Sequence, residues 1–148
     1  NRIMAIQTLM NVSVKCEYAL RAVLDLTLAP QGHPTRIADI AMRQAIPQKF
    51  LETILADLKK AGFLESRRGA EGGYLLGKPA DTITVGQVIR TLEGGRTGRA
   101  ALEVPGPLGE FWDRVDDAVA GVIDKTTFAE LGRSWRERQM RHVPNWEI

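Results

Sequence analysis

The stretch from Thr35 to Lys78 constrains this chain most, because helical periodicity gives way there to two short strands around a glycine-rich turn. Ile37, Ile40 and Ala41 recur at i, i+3, i+4, which predicts a helix from about Arg36 to Arg43 with those side chains inward. Gln44-Ala45-Ile46 forms a turn, and Pro47 suits the first turn of a new helix, where its missing N–H costs nothing. The second helix runs to about Lys60, with Phe50, Leu51, Ile54, Leu55 and Leu58 as its buried stripe. Gly62 ends it, and Lys59 and Lys60 complement the dipole in its last turn.

This leaves Gln48, Lys49, Glu52 and Thr53 on the outer face of the second helix, polar and unused in packing. In a helix-turn-helix the N-terminal residues of the second helix reach base edges in the major groove. Phe63-Leu64-Glu65-Ser66 and Tyr74-Leu75-Leu76 are each short enough for a strand. Between them Arg67-Arg68-Gly69-Ala70-Glu71-Gly72-Gly73 makes a hairpin tip with paired arginines suited to phosphate or a narrow minor groove. The sum is a winged helix-turn-helix, mainly α with a small β wing. The plainer reading is a helical hairpin on a two-stranded sheet with solvated charges. Basic residues at two separate points favour the nucleic-acid reading.

Charge distribution agrees. The net charge is only +2, but residues 1–80 carry 11 Lys and Arg against 7 Asp and Glu, and residues 81–148 carry 9 against 11. The basic half is the half with the wing, as a nucleic-acid face requires. No secretory signal and no long apolar run stand in the sequence, so a soluble cytoplasmic protein is expected. The single cysteine excludes an intrachain disulfide.

Residues 1–11 read as a short arm. Ser13 is an N-cap for a helix from Val14 to about Leu28 that braces the helix-turn-helix. Cys16 near its start is either a buried small residue or a redox sensor. After the hairpin, Thr84 and Gln87 form a capping box for a helix from Val85 to about Leu92. Glycines and prolines mark an irregular stretch from about 94 to 107. A long helix from about Leu108 to Asp124 follows, with Phe111, Trp112, Val115, Val119 and Val122 on a wide apolar stripe. So much apolar surface implies a dimer interface; the alternative is that the helix folds back over its own winged helix. Thr127 and Glu130 open a last helix through about Arg138, whose basic end is either solvated or docked on another subunit through Trp135 or Trp146. The expected division is a DNA-binding domain over 12–80, a connector helix and effector-type loop over 81–107, and a dimerisation helix and tail over 108–148.

Several pieces resemble the Rrf2 family of bacterial winged-helix regulators. They are Tyr18-Ala19-Leu20-Arg21-Ala22, Ile37-Ala38-Asp39-Ile40-Ala41, Phe50-Leu51-Glu52, Leu58-Lys59-Lys60-Ala61-Gly62, Arg68-Gly69 through Gly72-Gly73-Tyr74-Leu75-Leu76, and Ile83 to Ile89. The resemblance spans roughly Val12 to Leu131 and is most specific in the wing. It implies a homodimer that binds double-stranded operator DNA, usually as a repressor. The residues expected at DNA are Gln48, Lys49, Glu52, Thr53, Arg67, Arg68, Gly69 and Tyr74. Many members hold an iron–sulfur cluster on three cysteines in the loop before the long helix. Here that loop has none, so no cofactor and no metal site are expected. Arg96 and Arg99 in the same loop could hold a small anionic effector; the alternatives are a protein effector or no small-molecule signal at all.

An enzyme is not expected. The only histidines, His33 and His142, lie far from Cys16 in sequence and lack metal-ligand spacing, and the glycines of 69–73 lack the context of a phosphate-binding loop. The competing class is a winged-helix protein-interaction adaptor, which specific duplex binding separates from a regulator.

Overall fold

The computed structural model describes residues 12–93 and 105–141. Helix α1, Val14–Leu28, starts at Ser13, whose Oγ accepts the Cys16 backbone N–H at 3.1 Å. Its inner stripe of Ala19, Ala22, Val23 and Leu26 is buried against Ile40 of α2, Ile37–Gln44, and Leu51, Ile54, Leu55 and Leu58 of α3, Gln48–Lys60. Burying one such leucine contributes about 1.5–3 kcal/mol. A carboxylate joins the helices beside this apolar seam. Asp25, nearly buried on α1, accepts from Arg43 Nε at 3.0 Å, Arg43 Nη2 at 2.8 Å and Gln44 Nε2 at 3.0 Å. The end of α2 is thereby fixed to the bracing helix.

The turn is short because Ala45 takes left-handed backbone (φ 54°) and Ile46, donating to Ala41 O, is buried behind it. Pro47 stands just before α3 as its cap residue. One expectation is overturned: Phe50 is not in the buried stripe but 49% exposed. Leu51, Ile54, Leu55 and Leu58 already fill the inward face, and Phe50 lies at its flank, its ring nearly perpendicular to that of Tyr18 with centroids 5.9 Å apart.

Strands β1, Leu64–Arg67, and β2, Gly73–Leu76, pair antiparallel, with Leu64 opposite Leu76 and Arg67 opposite Gly73. The sheet begins one residue later than expected and takes in Arg67, so the tip proper is Arg68 to Gly72. Thr35 adds a bridge by exchanging two 2.8 Å backbone bonds with Tyr74, and Arg36 Nη2 donates to Ala70 O. The wing is thus tied to the entrance of α2. Gly73 has φ 151°, and a Cβ there would lie 2.3 Å from Thr35 O. Gly73→Ala is therefore expected to destabilise the protein by about 2 kcal/mol or more, read as a lower thermal midpoint; an unchanged midpoint would count against this packing.

A 3-10 turn, Ala80–Thr82, leads to α4, Val85–Glu93. The capping box is reciprocal: Gln87 N donates to Thr84 Oγ1 at 3.1 Å and Thr84 N donates to Gln87 Oε1 at 2.9 Å. Glu93 accepts from Ser13 N at 3.0 Å and Ser13 Oγ at 2.6 Å, joining the end of α4 to the start of α1. Helix α5, Gly106–Ile123, is pinned at its end by Arg90 and Asp124, with Nη2 to Oδ2 at 2.9 Å; the guanidinium holds the Asp124 carboxyl below its usual range.

Helix α6, Phe128–Arg141, runs further than expected and folds back on α1. Phe128 enters the main core beside Ile83 and Val88, and Arg136 Nη2 donates to Thr27 O at 3.2 Å. Its Trp135 is 48% exposed, whereas Trp146 lies outside the described residues. No helix among the described residues is long and apolar enough to cross a membrane.

Candidate nucleic-acid interface

The first two turns of α3 present Gln48, Lys49, Glu52 and Thr53 to solvent, opposite the leucine row that packs on α1. None of the four makes a side-chain hydrogen bond or ion pair among the described residues. Their functional groups are free to meet an incoming surface, while the backbone beneath is held by the core.

The wing supplies a second exposed group. Arg68, Gly69 and Glu71 are exposed at the tip, and Gly69 has φ 107°, a conformation that favours glycine, with open space where a Cβ would be. The two arginines differ. Arg67 is partly committed: Nη1 donates to Gly32 O at 3.4 Å and Nη2 lies 3.8 Å from Glu65 Oε1. Arg68 has no such partner among the described residues. Tyr74 is half-buried, packed against the core with its backbone bonded to Thr35, so it braces the wing from behind.

Beside α3 the structure brings up residues from α1 that the sequence did not suggest. Lys15, Lys49, Phe50 and Thr53 line a depression of about 390 Å³. Lys15 Nζ is held by Asp57 at 2.8 Å, and the Arg21 guanidinium carbon sits 5.7 Å from the centre of the Tyr18 ring that meets Phe50. Sequence spacing hides this cluster, because Lys15, Tyr18 and Arg21 belong to another helix.

A different surface lies along α5. Within the single chain only Gly109 and Ile123 of that helix are buried. Leu108 and Val122 are well exposed, Phe111 is 45% exposed, and Trp112, Val115 and Val119 are half-buried. Phe111 and Trp112 meet edge-to-face with centroids 5.1 Å apart. Its C-terminal end packs on its own chain, Ile123 and Val119 lying against Val12, Cys16 and Ile89, while Leu108, Phe111 and Val122 stay exposed. Arg96 and Arg99 lie outside the described residues.

Cys16 is fully buried with Val12, Ile89 and Ile123. Burial first, then the Glu93 and Glu17 carboxylates, push its thiol up to about 12. A thiol so held is a packing group and a poor nucleophile. At pH 8 the native protein is expected to resist alkylation that the urea-unfolded chain undergoes readily. The sign for stability follows from the folded pKa lying above the ordinary 9.0: the contribution is complete below about pH 9 and declines as pH rises toward 12. Rapid native labelling at pH 8 would show the burial wrong.

The comparisons with known proteins agree with this geometry. The family model Rrf2, described as iron-dependent transcriptional regulator, matches residues 12–134. The HTH-type transcriptional regulator CymR of Bacillus subtilis (strain 168) is 38% identical over 123 residues, covering 82% of this chain and 89% of that one. The HTH-type transcriptional regulator IscR of Escherichia coli O1:K1 / APEC is 34% identical over 129 residues, covering 82% and 80%. Among solved structures, CymR, the global cysteine regulator of B. subtilis, superposes with a TM-score of 0.75 at 35% identity, covering 83% of this chain and 96% of that one. The T. potens IscR structure gives 0.73 at 30% identity, covering 90% and 92%.

Proposed function

Because the chain belongs to the Rrf2 family of transcriptional regulators, we propose that it is a homodimeric, sequence-specific DNA-binding regulator acting as a repressor. The carrying observation is the pairing of two unpartnered polar groups on elements that pack together: the outer face of α3 and Arg68 at the wing tip. In this reading Gln48, Lys49, Glu52 and Thr53 read base edges in the major groove. Lys49 suits guanine, and Glu52 accepts from cytosine N4. Arg68 and the Gly69 backbone follow the adjacent phosphates or the minor groove, with Arg67 contributing less. Such contacts separate base choice from affinity. Alanine at Lys49 or Thr53 relaxes specificity at particular positions, while alanine at Arg68 weakens binding at most sequences.

Two copies meet through α5, with Phe111 and Trp112 as anchors and Val115, Val119 and Val122 around them. Half-site centres then lie about one helical turn, or a multiple of it, apart. The segment 94–104 joins the reading domain to this dimer helix, and its Arg96 and Arg99 would pair with an anionic effector carrying carboxylate or phosphate.

The chain's donors do not fit an iron–sulfur cluster, despite the family's description. Thiolates are the usual ligands. The chain has one cysteine, buried at the start of α1 with its thiol held protonated, and residues 94–104 contain none. Anaerobic purification is expected to give protein without stoichiometric iron and acid-labile sulfide; finding both would contradict this.

The function itself is tested by capturing fragments of the source genome on the purified protein and sequencing them. A shared palindrome is the expected result. Capture without any common sequence favours the adaptor reading.

A further inference from the structure

Phe50 is the one large aromatic side chain of α3, and it is half-exposed in the first turn of the helix where base edges are read. Exposing such a ring has a cost that its contact with Tyr18 offsets only in part. The ring also lines the depression shared with Lys15, Lys49 and Thr53. Phe50 gives it an apolar ring, and threonine and lysine side chains carry apolar methyl and methylene groups beside their polar ends. Two lysines border it, Lys49 without an ion-pair partner among the described residues and Lys15 held by Asp57 at 2.8 Å. A site of this kind fits a small apolar group flanked by negative charge. Duplex DNA offers one such group in the major groove, the C5-methyl of thymine, between the phosphates of the groove's lips.

We propose that Phe50 is a specificity-determining residue that receives a thymine methyl group in each half-site, with Lys15 beside the flanking phosphate and Lys49 left to the neighbouring base edge. The inference rests on the DNA-binding reading above and deepens it. Continuity supports it, since Lys49 and Thr53 belong both to the depression and to the outer face of α3. Phenylalanine cannot donate or accept a conventional hydrogen bond, so the methyl is the feature of the base pair it can distinguish. It selects thymine over cytosine through the methyl, and over uracil for the same reason.

The test uses the palindromic duplex recovered from the genome-fragment capture. It is resynthesised with deoxyuridine replacing each thymidine in turn, symmetrically in both half-sites. At one position the loss of the methyl pair is expected to weaken wild-type binding by about 10-fold, taking each methyl as one buried CH₂ group. Phe50→Ala is expected to bind the thymidine and deoxyuridine duplexes equally, and Phe50→Leu to keep part of the difference. Circular dichroism and thermal melts check that both variants fold. If Phe50→Ala does not fold, a full wild-type difference retained in Phe50→Leu overturns the proposal. Wild-type protein indifferent to uracil at every position overturns it while leaving the DNA-binding reading intact. A difference that persists in Phe50→Ala also overturns it, assigning the effect to DNA flexibility or another residue. Failure to recover any duplex sinks the DNA-binding reading and this inference together.

Discussion

Aspartate in place of Phe111 is expected to leave a folded monomer that has lost most of its operator affinity. Phe111 is 45% exposed in the single chain and makes its ring contact with Trp112 of the same helix, so the fold does not depend on burying it. In a dimer the same position becomes interior, where an unpaired carboxylate costs several kcal/mol. Sedimentation at micromolar concentration should shift from dimer to monomer. DNA binding should follow through its salt dependence. With about eight phosphates neutralised per dimer, affinity falls about 10⁴-fold between 50 and 200 mM salt; a monomer neutralising half of them loses only about 10²-fold. Met140→Asp, at a residue 77% exposed on α6, serves as control and should stay dimeric. A dimeric Phe111→Asp protein with wild-type salt dependence would remove α5 from the interface.

Arg68→Ala carries the second large effect. Arg68 stands free at a tip whose position is fixed by the β1–β2 pairing and by the bridge from Thr35 to Tyr74. Its substitution leaves those bonds alone, so stability should hardly change. Operator affinity at 150 mM salt should drop by about 10-fold or more, and the slope of log affinity against log salt should flatten by about 2 per dimer, one phosphate for each wing. Arg67→Ala should do less, because that side chain is already engaged by Gly32 and Glu65. Wild-type affinity and slope in Arg68→Ala would take the wing out of the interface.

The helices were legible where local signals agreed. Ser13 and the alanine–valine stripe set α1, and the Thr84–Gln87 pair set α4, because caps and periodicity are local physics. Phe50 was misread because its spacing puts it at the border of the apolar stripe. Which side of that border it takes is decided by Tyr18 on another helix. The inclusion of Arg67 in β1 depends on register with Gly73, and the distinction between the two arginines depends on Gly32, across the fold. The docking of α6 was equally hidden: Phe128 reaches a core built mostly before residue 65. The face of α5 showed in the sequence as apolar surface in excess, and it stays largely exposed in the single chain. The outward row Gln48, Lys49, Glu52 and Thr53 was legible because the leucines beside it leave no room inward for polar groups.

Equilibrium binding at 150 mM salt, comparing the recovered palindrome with a scrambled duplex of the same length and composition, tests the central claim most directly. The expected result is two chains per palindrome and an affinity at least about 10³-fold tighter than for the scrambled duplex. Equal affinity for the two duplexes would contradict it.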